Sequence, residues 1–74
     1  MKKYDYYISA VFDDGLSSED SKASTRKEAF KKLAVIRERI AQHLKDYDSV
    51  ELGIVRAAVD DDVNYEDIYY KKLK

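Results

Sequence analysis

The stretch 49-SVELGIVRAAV-59 decides the fold. Val50, Leu52 and Ile54 recur at every second residue, the period of a β-strand with one buried face. Around Gly53 the apolar positions change over to Val55, Ala57 and Val59, so the opposite face takes up the hydrophobic role. Two arrangements produce such a change: a bulge beside Gly53, or a central strand covered on both sides. Either way 49–59 is a strand around which neighbours must be organised.

On its N-terminal side lies 25-TRKEAFKKLAVIRERIAQHLK-45. Thr25 and Glu28 form the T-x-x-E capping box, in which each side chain satisfies a backbone N–H that the first helical turn leaves unpaired. The spacing predicts a helix over 26–45. Ala29, Phe30, Leu33, Ile36, Ile40 and Leu44 fall on one stripe when residues are placed 100° apart, whereas Lys27, Lys31, Glu38, Gln42 and Lys45 lie opposite. Glu28 and Lys32 are an i,i+4 pair, and Val35 is left on the polar side. Arg37 lies inside the apolar stripe, so it must either run its stem out to water or meet an acid from a strand.

Two further strands complete the pattern. In 4-YDYYISAVF-12 the residues Tyr4, Tyr6, Ile8, Ala10 and Phe12 alternate with Asp5, Tyr7, Ser9 and Val11, predicting a strand over 3–12. It ends at 13-DDG-15, where Asp favours a turn and Gly15 can take a positive φ. The polar segment that follows is either an edge strand paired back on the first or a loop, so 13–24 stays open between the two. Beyond Asp60–Asp62, read as a hairpin turn, 63-VNYEDIYY-70 is rich in strand-favouring residues. The expected architecture is a single α+β domain over 1–74, in the order β-(β)-α-β-β. One helix packs on one face of a three- to four-stranded, mainly antiparallel sheet. The other face, expected to carry Tyr7, Val11, Val55 and Val59, is left for water or a partner and is the leading candidate interface, including for a homodimer.

A chain of 74 residues holds one modest core, since a domain this small buries only about 60% of its unfolded surface. Hydrophobic residues make up 45% and charged residues 39%, with a mean hydropathy of -0.65, which suits a folded domain with little apolar surplus. There is no cysteine, which excludes disulfides, thiolate metal sites and thiol nucleophiles and suits a reducing compartment. The start, MKKYDYYISAVF, lacks the apolar run of a signal peptide or membrane span, so a cytoplasmic protein is expected. The net charge of -1 conceals a polarised chain. Residues 1–45 carry ten Lys or Arg against seven acids, whereas 46–70 carry eight acids against Arg56 alone.

That acidic half contains the most suggestive motif. Asp60, Asp62 and Asn64 match the D-x-D-x-N opening of an EF-hand, but the sixth position, Tyr65, should be Gly and the twelfth, Lys71, should be Glu. No metal site and no cofactor are therefore expected. Asp60, Asp61, Asp62, Glu66 and Asp67, joined by Asp46 and Asp48 if the strand ends cluster, read instead as an acidic docking surface. Its partner would be a basic protein, including one that itself binds nucleic acid.

Catalysis has little support. His43 is the only histidine and has no partner at a useful spacing, Ser17, Ser18, Ser21 and Ser24 lack an assignable base, and two glycines leave no phosphate-cradling loop. A non-enzymatic module is expected. Seven tyrosines suit sheet surfaces and protein interfaces alike. The alternative function is nucleic-acid binding through Lys27, Lys31, Lys32, Arg39 and Lys45 on the helix.

The piece 11-VFDDGLSSEDSKASTRKEAFKKL-33 resembles the strand, turn, strand and helix start of the arm-site DNA-binding domains of tyrosine recombinases. That resemblance implies strands entering a DNA groove, but 13-DDGLSSED-20 is acidic where the family's strands are basic. In overall style, a short cysteine-free α+β chain with polarised charge is similar to many phage-encoded accessory proteins. The combined expectation is a small protein-binding accessory module.

Overall fold

The computed structural model describes residues 3–74 and, for 61–63, the backbone alone. Strand β1 (Tyr4–Phe12) is followed by a tight turn, β2 (Ser17–Ala23), helix α1 (Arg26–Ala41), β3 (Val50–Ala58) and β4 (Asp61–Lys72). The four strands form one sheet in the order β2-β1-β3-β4, with every neighbouring pair antiparallel. The open choice over 13–24 resolves as a strand, because β1 offers β2 a full ladder from Tyr6↔Ala23 to Phe12↔Ser17.

β3 lies between β1 and β4, but the helix covers only one of its faces, so it is not a strand covered on both sides: beyond Gly53 the apolar residues Val55 and Ala57 turn to the uncovered face. Its pairing with β1 runs unbroken from Tyr4↔Ala58 to Phe12↔Val50, straight through Gly53. Val50, Leu52 and Ile54 point toward the helix, and Val55 and Ala57 point away from it, as their partners in β1 require. The irregularities fall on β4 instead. Ile54 pairs with Tyr69 and Val55 with Asp67, which leaves Ile68 as the extra residue of a bulge, and a second shift lies between Ala57 and Ala58.

The helix starts with half of the expected capping box: Thr25 is extended and its side chain accepts a hydrogen bond from the Glu28 N–H at 3.1 Å, whereas the Glu28 carboxylate accepts from Ser24 Oγ at 3.3 Å and pairs with Lys32. Ala29, Leu33, Ile36 and Ile40 are buried against Ile8, Ala10, Phe12, Leu52 and Ile54, forming the core. The helix stops at Ala41, short of the predicted 45, and the chain turns again at Leu44–Asp46. No Gly or Pro forces this end. Leu44 and Tyr47 pack back onto the core, Tyr47 stacking on Phe12 with ring centroids 4.5 Å apart, which a continued helix would not allow.

The β1–β2 turn is unusual in having three successive left-handed residues, Asp13 (φ 53), Asp14 (φ 56) and Gly15 (φ 97). Residues leading into β3 hold it in place. The Asp13 N–H donates to the Ser49 carbonyl at 2.9 Å and the Asp48 N–H to Asp13 Oδ1 at 2.6 Å. The Asp14 N–H donates to Ser49 Oγ at 2.7 Å, and that hydroxyl donates to Asp14 Oδ1 at 3.2 Å.

The two glycines are therefore expected to answer differently to alanine. At Gly15 the positive φ penalises any Cβ, so Gly15→Ala should cost roughly 1–2 kcal/mol. At Gly53 a Cβ would meet only ordinary contacts, Tyr69 O at 3.6 Å and Ser9 Oγ at 3.7 Å. Gly53→Ala should be neutral or stabilise by about 0.5–1 kcal/mol, because alanine loses less backbone entropy in a strand. Urea denaturation of both variants checks the pair; a large loss of stability for Gly53→Ala would show that the strand needs glycine there.

Candidate functional site

The helix covers the sheet over β1, β2 and β3 on one face only. Strand registers assign the other face: Ser18, Asp20 and Lys22 from β2; Asp5, Tyr7, Ser9 and Val11 from β1; Glu51, Gly53, Val55 and Ala57 from β3. β4 adds Tyr65, Asp67, Tyr70 and Lys72, which pair with Ala57, Val55, Gly53 and Glu51. Tyr65 and Tyr70 are five positions apart and would sit on opposite faces of a regular strand; the Ile68 bulge brings them to the same one.

At one end of this face Tyr7 and Tyr65 meet edge to face, with centroids 6.0 Å apart. Ala57 lies directly opposite Tyr65 and is only 3% exposed, although it belongs to the side the helix does not cover. Toward the other end Tyr70 remains 65% exposed, its hydroxyl donating to Glu51 Oε1 at 2.5 Å. Lys22 lies 5.8 Å from the Tyr7 ring centroid and 3.5 Å from Asp5. The result is an aromatic and aliphatic strip, Tyr7, Val11, Val55, Tyr65 and Tyr70, flanked by Asp5, Asp20, Glu51 and Asp67 against Lys22 and Lys72. Four acids to two cations make the face acidic.

The sequence-predicted residues are redistributed. Tyr7, Val11 and Val55 are on the uncovered face as expected, but Val59 is in the β3–β4 turn, beyond the strand. It lines a cleft with Tyr4, Thr25 and Arg26 instead. The acidic set divides between the two ends of the molecule. Asp48 lies beside the β1–β2 turn with Asp13 and Asp46 two residues before it, beside His43, whereas Asp60 and Asp61 are at the far end of β3. Nine residues of β3 separate the two groups by roughly 26 Å at about 3.3 Å per residue. Glu66 points to the helix side, where it holds Arg56 at 2.7 and 2.8 Å. The side chains of Asp61 and Asp62 lie outside the described residues.

Arg56 itself is a structural joint. Its guanidinium lies 4.3 Å from the Tyr4 ring centroid, and hydrogen bonds first to Glu66 and then to Tyr6 raise its already high pKa. The basic helix residues also fail to act together. Arg39 is ion-paired with Glu19 of β2, and Lys32 reaches the Lys22 carbonyl at 2.6 Å and Glu28 at 3.5 Å. Lys27 and Lys31 face solvent, and Lys45 falls in the turn after the helix.

A second concavity of about 460 Å³ lies where the helix stops short of β4, lined by Phe30, Leu33, Ala34, Arg37, Ala41 and Tyr69. Phe30 and Tyr69 close its floor edge to face at 5.7 Å. Arg37 is exposed at its rim and has no acidic partner among the described residues, so its stem runs out to water. Among the described residues no helix is long and apolar enough to cross a membrane. Comparison of the chain with protein-family models, curated proteins and solved structures gives no significant match.

The Tyr70–Glu51 contact supplies a direct probe of the face. Its hydrogen bond, burial and the Glu51 charge, in that order, raise the Tyr70 pKa above the ordinary tyrosine value. A raised folded-state value means that the bond stabilises the fold at neutral pH and that this contribution is lost as pH rises through the raised pKa. An NMR titration should place the Tyr70 phenolate above the usual tyrosine range and show it moving back down in Glu51→Gln. An unmoved Tyr70 in that variant would mean the two side chains are not bonded in solution.

Proposed function

We propose that the protein is a non-enzymatic, cytoplasmic protein-binding module that uses the uncovered sheet face to hold a partner with a basic or neutral surface. The supporting observation is the strip of Tyr7, Val11, Val55, Tyr65 and Tyr70 on an otherwise polar sheet, with acids in excess around it. Tyrosine serves such a surface well, because it brings large area and a polar tip with few rotatable bonds. The excess of acid adds long-range attraction for cations and opposes a phosphate backbone. This reading moves the docking acids from the β3–β4 turn to Asp5, Asp20, Glu51 and Asp67 around the strip. The polarity of the partner is unchanged from the sequence-based expectation.

Paired capture experiments from the native host test it. A partner retained by the wild-type chain should be lost at least tenfold in Tyr65→Ser/Tyr70→Ser, and retention should weaken with salt. Asp60→Asn in the turn should change it little. Equal retention by wild type and the double tyrosine variant would overturn the assignment. Retardation of DNA or RNA at low salt that disappears in Lys27→Glu/Lys31→Glu would move the function to the helix.

A further inference from the structure

We propose that β4 pairs edge to edge with β4 of a second copy, antiparallel about a two-fold axis, joining two sheets into one of eight strands. The two edges of the sheet differ in ways that matter here. β2 is seven residues of SSEDSKA, whose serines and charges suit a strand end facing water. β4 is twelve residues long and carries Tyr65, Ile68, Tyr69 and Tyr70 through its middle. An edge of that length and composition is unprotected unless its charges repel a second copy.

They do the reverse. All the acids of β4 lie at Asp61–Asp67, and its lysines, Lys71 and Lys72, come after them with Lys74 just beyond. Parallel pairing of two copies would set like charge against like. Antiparallel pairing sets the acidic half of each strand against the lysine half of the other, twice by symmetry. Lys71 and Lys72 are exposed and take part in no ion pair among the described residues, so their charges are available to it.

Face matching narrows the register. A two-fold axis perpendicular to the sheet leaves the uncovered faces of both copies on the same side, so residues opposite one another must share a face. Tyr65 and Tyr70 do share it and are 58% and 65% exposed. Setting Tyr65 of one copy opposite Tyr70 of the other places the axis between Asp67 and Ile68, so the two bulges meet there. In this register Glu66 lies opposite Tyr69, and Lys71 and Lys72 lie toward the acidic start of the other copy's strand. The interface uses the strand edge, so the Tyr7, Val11 and Val55 strip stays free and doubles in extent.

Sedimentation of the full chain over a wide concentration range tests the proposal. The wild type should show a concentration-dependent shift from monomer to dimer. Lys71→Glu/Lys72→Glu and Asp61→Lys/Asp62→Lys should each weaken it at least tenfold, and an equimolar mixture of the two variants should restore a dimer. Amide exchange in wild type should slow across β4 as concentration rises, which separates pairing from any fault in a variant's folding. A wild type that stays monomeric at millimolar concentration overturns the proposal. So does a dimer that survives both charge variants but is lost in Val11→Lys, which would put the contact on the face.

Discussion

The pairing of β1 with β3 is the constraint on which the remaining structure depends. It joins nine consecutive residue pairs without a break and brings together Ile8 and Ile54, both fully buried. Burial of each such side chain contributes about 1.5–3 kcal/mol, a large share of what a domain of this size can muster. The two strands are separated in sequence by the β2 hairpin and the helix, so both must be accommodated in the crossover. β2 satisfies the outer edge of β1, and the helix lies over the face where Ile8, Ala10, Leu52 and Ile54 converge. β4 then covers the outer edge of β3. With the helix committed to one side, the character of the other is fixed by whatever side chains the same registers turn outward.

What could be read from the sequence follows from which signals are local. The Thr25 N-cap, the alternation of Tyr4–Phe12 and the helical stripe from Ala29 to Ile40 are each carried by residues close in sequence, and they appear in the structure as expected; the return bond from Glu28 to the cap does not. The one-helix, four-strand antiparallel architecture follows from them. Signals needing a second element were harder to place. The change of phase at Gly53 admitted a bulge or a central strand covered on both faces; the ladder with β1 is unbroken and the helix covers one face only, so β3 is neither. The helix end near Ala41 is set by Tyr47 stacking on Phe12, a contact between positions far apart in the chain.

The candidate site was legible to the same degree. Tyr7, Val11 and Val55 follow from simple alternation, but Tyr65 and Tyr70 do not, because their common face depends on one extra residue between them. The acids were counted correctly and located poorly. Summing charge along the chain placed Asp46, Asp48 and Asp60 in one segment, whereas a strand separates its two ends in space as far as it is long. Arg56 and Glu66 illustrate the converse: two charges from that acidic segment neutralise each other beneath the Tyr4 ring and contribute nothing to a long-range field.

The bulge at Ile68 sits just before 69-YYKK-72, where each residue type occurs twice in succession. If the extra residue were taken up into the ladder, the strand beyond it would slip by one position. Tyr69 would take the place of Tyr70, and Lys71 that of Lys72. The uncovered face would present the same side-chain types in the same order, whereas on the helix side Ile68 would replace Tyr69 opposite Ile54 and Tyr70 would replace Lys71 opposite Leu52, so this half of β4 is degenerate with respect to register on the uncovered face alone. The choice between the two frames therefore rests on residues that have no duplicate. Ile68 would become a paired neighbour of Ile54, and Leu73 would surrender the N–H that it now donates to the Val50 carbonyl at 2.9 Å. A doubled sequence beside a bulge makes the chemistry of a surface insensitive to a one-residue error in its alignment.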